Sequence, residues 1–177
     1  MRNLVSLFTL SLIIMSCSTT YVNRDPLGEQ FPKVTGQTLT EEERILPEYF
    51  AGSEVILLLG YKQNSQFDID RWLIGLDMQG IKTMVYEIPT IQGLFPRMIQ
   101  GTIDNGMRSG IPEELWGGVI TVYAGGDMVQ EFTGNQNANN ARVLALDEKG
   151  VVIYFHDRGF SVLALNALKE KLESAQL

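Results

Sequence analysis

The sequence predicts an α/β domain in which a central mixed β-sheet is flanked by helices and preceded by an N-terminal hairpin extension. Three observations carry that expectation. Val55 to Leu59 is an unbroken aliphatic run, the pattern of a strand buried on both faces. After it, Ile69, Trp72, Leu73 and Leu76 recur at helical spacing before a second apolar stretch, "IKTMVYEIP". Strand, helix and strand make a βαβ unit, whose crossover is right-handed in nearly all proteins. Toward the C-terminus, Arg142 to Asp147 and Val151 to His156 flank "DEKG" as a hairpin that leads into a leucine-bearing helix.

The chain begins differently. "MRNLVSLFTLSLIIMSC" carries one cation, Arg2, and then an apolar stretch from Leu4 to Met15. A bilayer-spanning helix needs roughly 20 apolar residues, so this shorter stretch reads as the core of an export signal. Its end, Ile14-Met15-Ser16-Cys17, resembles the lipobox of bacterial lipoprotein signals. The resemblance implies that Cys17 becomes the first mature residue and carries lipid on its sulfur and amino group. Two or three acyl chains at roughly 0.8 kcal/mol per buried methylene anchor a protein stably, where one chain holds it marginally. Residues 1–17 are therefore expected to be a lipoprotein signal, 18–30 a flexible tether, and 31–177 the folded domain. Such a protein sits on the cell envelope facing the periplasm, and Ser18, in place of an inner-membrane-retaining aspartate, favours the outer membrane.

Cys17 is the only cysteine in the sequence, so no disulfide can form within the chain. Formal net charge is −7, from 14 Lys and Arg against 21 Asp and Glu, with no basic run. An electrostatic footprint for nucleic acid is missing. Loss of Arg2 with the signal leaves 13 basic against 21 acidic residues, near −8. Lipid, not surface charge, must hold the mature protein at the membrane.

Within the domain, "FPKVTGQTLTEEERILPEYFAG" supplies a short strand pair around the acidic "TEEE" turn, read as a hairpin covering the sheet, with Tyr49 and Phe50 as apolar anchors. Gly80 closes the first helix. Phe95, Ile99, Ile103 and Met107 repeat every fourth residue, beside Met98, and predict a second helix with Pro96 in its first turn. "WGGVITVYAGGDMVQEF" reads as a strand, a Gly-Gly-Asp turn and a second short strand. "TGNQNANNA" is a polar loop. Leu165, Leu168 and Leu172 mark the closing helix, with Lys169 and Lys171 toward its C-terminal half.

This order is similar to the thioredoxin fold. "FPKVTGQTL…RILPEYFAGSEVILLLGY" resembles the opening of redoxin-type domains, and "RVLALDEKGVVIYFHDRGFSVLALNALKEKL" resembles their closing half. "MRSGIPEELW", followed by a strand, an Asn-containing loop and the hairpin, resembles the mitochondrial ATP synthase assembly factor family, which has a redoxin-like domain without a conventional thiol site. The resemblance spans about Phe31 to Leu172. In thiol-active relatives the loop after the first central strand carries a cysteine at the N-terminus of the first helix, where the helix lowers its pKa. Ser65-Gln66-Phe67-Asp68 stands there, and Asn139-Asn140-Ala141 stands where the fold's cis-proline precedes the later hairpin. Both halves of a thiol-disulfide site are absent together.

Two readings of the junction follow. Ser65 and Asp68 have the spacing of a capping box, which would make the pair only a helix start. Alternatively Tyr61, Asn64, Ser65 and Asp68, facing Asn139 and Asn140, form a polar recognition surface at a helix N-terminus whose free N–H groups suit a partner's carboxylate or carbonyl. His156 reads as a hydrogen-bonded strand-end residue, Asp147 and Asp157 as turn residues, and Trp72 and Trp116 as packing. No metal or cofactor pattern is present and none is expected. The favoured function is a membrane-anchored, redox-inactive protein that binds an unidentified protein partner in envelope assembly. The alternative is an enzyme using Tyr61 to Asp68 for non-thiol chemistry on a small substrate.

Overall fold

The computed structural model describes residues 19–175; the signal segment and Cys17 lie outside them. Its strands are β1 (Val34–Thr38), β2 (Glu43–Leu46), β3 (Val55–Gly60), β4 (Met84–Pro89), β5 (Ile120–Thr121), β6 (Arg142–Leu146) and β7 (Val152–His156). The helices are α1 (Gln66–Met78), α2 (Leu94–Met98), α3 (Gln100–Gly110), α4 (Gly126–Thr133) and α5 (Val162–Ala175). A four-stranded sheet has the order β4-β3-β6-β7, with β3 and β4 parallel and the other pairs antiparallel.

The aliphatic run of β3 is explained by two cores. Val55, Leu57 and Leu59 join one cluster with Phe31, Phe50 and Leu144, while Ile56 and Leu58 join another with Ile69, Trp72, Val143 and Leu168. Alternate side chains enter opposite faces of the sheet, and both faces are covered. The mixed sheet, the parallel β3–β4 pair and the closing hairpin and helix are as the sequence predicts. Gly80 ends α1 with a positive φ of 65°, a conformation glycine tolerates best.

Four features differ from expectation. The N-terminal hairpin covers one face of the sheet through Val34 and Leu46, as expected, but β1 also pairs with β5, making a second sheet of order β2-β1-β5. Bridges Glu87↔Val119 and Thr90↔Val122 join it to the edge strand β4.

The second short strand after Gly125-Gly126-Asp127 is instead α4. A left-handed Gly125 (φ 90°) opens it, and Val129, Gln130 and Thr133 bury one helical face. A Cβ on Gly126 would lie 2.3 Å from the Ile91 carbonyl oxygen, so only glycine allows that approach.

The helix predicted around Ile103 breaks at Ile99 (φ −116°, ψ 21°) into α2 and α3, and the buried residue of α3 is Asp104. Its Oδ1 accepts the Tyr123 hydroxyl at 2.8 Å. Burial holds the Asp104 carboxyl above its ordinary range, against the opposing pull of that hydrogen bond and of Arg108. A raised folded-state pKa means that stability is lost as pH rises through it. Asp104→Asn keeps an acceptor for Tyr123 and is expected to show a melting temperature at pH 7 equal to or above wild type. That advantage should shrink as pH falls from the raised value toward the ordinary carboxylate range, about 3.9, which thermal melts across the window would check.

The last difference is the expected tether. Residues 19–30 lie along the domain as a strap, because their backbone groups find partners at every few residues. Asn135 brackets Tyr21, accepting its N–H at 2.7 Å on Oδ1 and donating its own N–H to the Tyr21 carbonyl at 3.1 Å. Arg24 N–H donates to Thr133 O at 3.2 Å. Farther on, Gly28 donates to Val152 O and Val152 to Glu29 O, adding a short ladder to the free edge of β7. Polar, turn-rich composition cannot distinguish a solvated tether from a strap whose polar groups are satisfied by the domain.

Candidate functional site

The carboxyl ends of β3 and β4, the amino end of β6 and the carboxyl end of β7 meet at one end of the sheet, where α1 also begins. The strap starts here too. Three of the six residues predicted to form a recognition surface are buried at this end. Tyr61, Ser65 and Asp68 are 9%, 2% and 8% exposed, so they cannot meet a partner directly.

Each is engaged internally. The Tyr61 hydroxyl shares a 2.6 Å hydrogen bond with Thr133 Oγ1. Burial pushes the phenol far above its ordinary pKa, outweighing the downward pull of Thr133 and Arg142, and it remains neutral. Ser65 has helical φ and ψ of −66° and −17°, and its Oγ donates to the Lys62 carbonyl at 2.6 Å, closing the 3-10 turn Gln63–Ser65. It makes no cap bond to α1. Asp68 accepts the backbone N–H groups of Ala141 at 2.9 Å and Phe160 at 2.7 Å. The capping-box reading thus fails as well: Asp68 ties α1 to the loops before β6 and after β7. Spacing identified the pair, but a carboxylate turned inward satisfies distant N–H groups that no local pattern reveals.

Asn64 and Asn139 are exposed, as expected of contact residues. Asn140 is half-buried and its amide donates to the Asp157 carbonyl at 3.1 Å. Beside Asn64 stands Phe67, 72% exposed, which the sequence reading left aside. It lies two residues from Ile69, about 200° around the helix from the buried stripe, and that offset was the available signal.

The other residue not anticipated is Arg142. It is fully buried at the head of β6, 5.0 Å above the Tyr61 ring. Its guanidinium donates to the carbonyls of Asn137 (3.1 Å), Asn140 (2.9 Å) and Gln136, and to Asn23 Oδ1 at 3.3 Å. No carboxylate forms an ion pair with it among the described residues. Asn23 stands between, donating its Nδ2 to Asp157 Oδ2 at 2.8 Å, so the strap links the buried cation to the nearest acid. Burial lowers the Arg142 pKa, while Tyr61 and Asp157 raise it. A guanidinium stays charged in proteins. Its sequence signal was a charge leading "RVLAL", a strand otherwise wholly apolar.

His156 donates Nε2–H to the Gly159 carbonyl at 2.8 Å and packs edge-on to Trp72, as its strand-end reading anticipated. Asp147 accepts the Lys149 and Val151 N–H groups and holds its turn. Trp72 is wholly buried; Trp116 is half-buried, with its Nε1 donating to Ile111 O. A cleft of about 200 Å³ lies between strap and β7, lined by Asn23, Arg24, Asp25, His156, Asp157 and Arg158 among others. Chemically, this end offers amides, a sealed cation and an exposed phenyl ring; the hydroxyls of Tyr61 and Ser65 at the strand–helix junction are buried and hydrogen-bonded internally.

No protein-family model matches the sequence, and no curated protein is significantly similar to it. Solved structures do match. Thiol peroxidase from Chromobacterium violaceum has 11% identity and a TM-score of 0.60, over 89% of this chain and 91% of its own. BsSco, a member of the Sco family of cytochrome c oxidase assembly proteins, has 10% identity and a TM-score of 0.60, over 88% and 98%. The exposed lipoprotein thioredoxin of Streptococcus pneumoniae strain TIGR4 has 12% identity and a TM-score of 0.52, over 81% and 99%. At such identities the likeness speaks for architecture alone, and it establishes that this chain has a thioredoxin-like fold.

Proposed function

We propose that this is a lipid-anchored, thioredoxin-like protein of the bacterial envelope that binds another protein and performs no thiol chemistry. The observation that carries this reading is the junction itself. Where thiol-active members of the fold place a cysteine, this chain has Ser65, 2% exposed, with its hydroxyl bonded to Lys62 O. Among the described residues the Ser65 hydroxyl is bonded to a backbone carbonyl and not to a base, so nothing activates it as a nucleophile. The sequence's single cysteine, Cys17, is assigned to the lipid. Assembly or maintenance of an envelope complex is the role favoured, in keeping with the resemblance to an assembly factor family. BsSco shows that the fold also occurs in a family of assembly proteins.

The partner face is redrawn around the exposed Asn64, Phe67 and Asn139. Exposed aromatics are frequent interface anchors, and truncating a central one costs about 2 kcal/mol or more of binding, roughly a thirtyfold loss of affinity. In cells, Phe67→Ala combined with Asn139→Ala is expected to abolish crosslinks to the partner with little change in thermal unfolding. The full chain should also be inert in insulin-reduction and peroxide-consumption assays. Turnover above a protein-free control overturns the thiol-free reading; retention of every crosslink removes this face from it.

A further inference from the structure

We infer that the end of the domain carrying the Thr133–Ala141 loop lies against the bilayer surface, held there in fixed orientation by the strap. The inference rests on lipidation of Cys17 and adds where the domain then stands. Thr19 O accepts the Asn135 Nδ2 at 2.8 Å, and Tyr21 and Arg24 are fixed to Asn135 and Thr133. Cys17 is two residues from Thr19, so a chain extending at most about 3.6 Å per residue leaves roughly 7 Å between anchor and pinned strap. A leash so short cannot let the domain tumble freely above the membrane.

The surface presented suits that position. In a chain of net charge −7, Thr19 to Asn23 and Thr133 to Ala141 contain no Asp, Glu, Lys or Arg. Asp25 and Glu131, both exposed, stand two residues outside these runs. Lys62 and Arg158, exposed at the ends of β3 and β7, lie at the same end of the sheet and match anionic headgroups. Val22, 75% exposed, supplies an apolar group for the interface. An acidic protein is repelled from an anionic membrane over most of its surface. At this end Lys62 and Arg158 offset the half-buried Asp157, and it is the end the leash draws down. A partner reaching Asn64 or Phe67 is therefore met at the membrane surface.

The strap is seated by Gly134. With φ of 74°, its Cβ position lies 2.3 Å from Asn23 Cα, so any side chain collides with strap backbone. Asn139 marks the loop end, and Lys149, in the β6–β7 turn, marks the other, about 17 Å away along a five-residue strand.

The test uses full-length lipidated chain reconstituted into phosphatidylcholine–phosphatidylglycerol vesicles bearing a headgroup-linked acceptor dye. Donor dyes are placed at Asn139→Cys or Lys149→Cys, Cys17 being blocked by lipid. Energy transfer from the Asn139 position is expected to exceed that from the Lys149 position about twofold or more, given a separation near 17 Å. Adding Gly134→Ala should bring the two values together while flotation with the vesicles is unchanged. Equal transfer in the parent chain, or low transfer at both sites in a chain that floats, overturns the orientation but leaves the anchor standing. Failure to float or to carry lipid overturns the anchor, and the orientation with it.

Discussion

Asp68→Ala is expected to destabilise the domain by roughly 2 to 5 kcal/mol, several times the effect of Ser65→Ala. The carboxylate satisfies two backbone N–H groups, of Ala141 and Phe160, both distant in sequence. Leaving a buried donor unpaired costs about 1 to 3 kcal/mol, and hydrogen bonds to a charged acceptor lie at the upper end. Ser65 loses one bond to the Lys62 carbonyl, worth about 1 kcal/mol. Were the pair a capping box, the two substitutions would cost similar amounts of about 0.5 to 2 kcal/mol. Asp68→Asn discriminates further, because its NH2 group would face one of the two N–H donors and could rescue only one bond. Urea unfolding of the three variants separates the cases. An Asp68→Ala midpoint no lower than that of Ser65→Ala would falsify the tie between α1 and the two loops.

The fold was legible because its signals are local or periodic. β3 shows two buried faces as one aliphatic run, and α1 shows its stripe at i, i+3, i+4 and i+7. Where a segment's state depends on remote partners, its local pattern does not decide it. "DMVQEF" fits a short strand or a helix; the close approach of Gly126 to Ile91 decides for α4. The strap has no apolar period at all, and its conformation is set by Asn135, Thr133 and Val152, more than a hundred residues away. The candidate site divided in the same way. Its place at the end of the sheet follows from the βαβ order, whereas inward turning of Tyr61 and Asp68 follows from hydrogen bonds to residues 68 to 92 positions away, and that of Ser65 from a bond to nearby Lys62.

These bonds share a feature: they converge on the Thr133–Ala141 loop. Asp68 fixes Ala141, Arg142 fixes the carbonyls of Gln136, Asn137 and Asn140, and Asn135 and Gly134 hold the strap. The loop is thus tied from helix, strand and N-terminus together. A positioned loop suits recognition, since little ordering entropy remains to be lost on binding.

Arg142 is the second residue whose loss is expected to have a large effect, and hydrophobic replacement should not rescue it. Buried ion pairs can often be exchanged for apolar side chains at no cost, because both charges leave together. Here the cation's partners are backbone carbonyls and the Asn23 amide, which remain when the guanidinium is removed. Arg142→Met keeps the volume of the stem but removes the donor to the carbonyls of Gln136 and Asn140 and to Asn23 Oδ1, at about 1 to 3 kcal/mol for the worst placed of them, while Asn137 O still accepts the Asn140 N–H. Arg142→Ala adds a cavity beside Tyr61 and should cost roughly 3 to 5 kcal/mol. Arg142→Lys restores charge, but a single ammonium cannot reach acceptors spread around a planar fork, so recovery should be partial. The strap provides a readout that a general loss of packing would not: amides of Tyr21, Asn135 and Arg24 should exchange faster in Arg142→Met while those of Val55 to Leu59 stay protected. If Arg142→Met unfolds at the wild-type urea concentration and keeps those strap amides protected, the loop is held by Asp68 and Asn135 alone, and the guanidinium has no part in it.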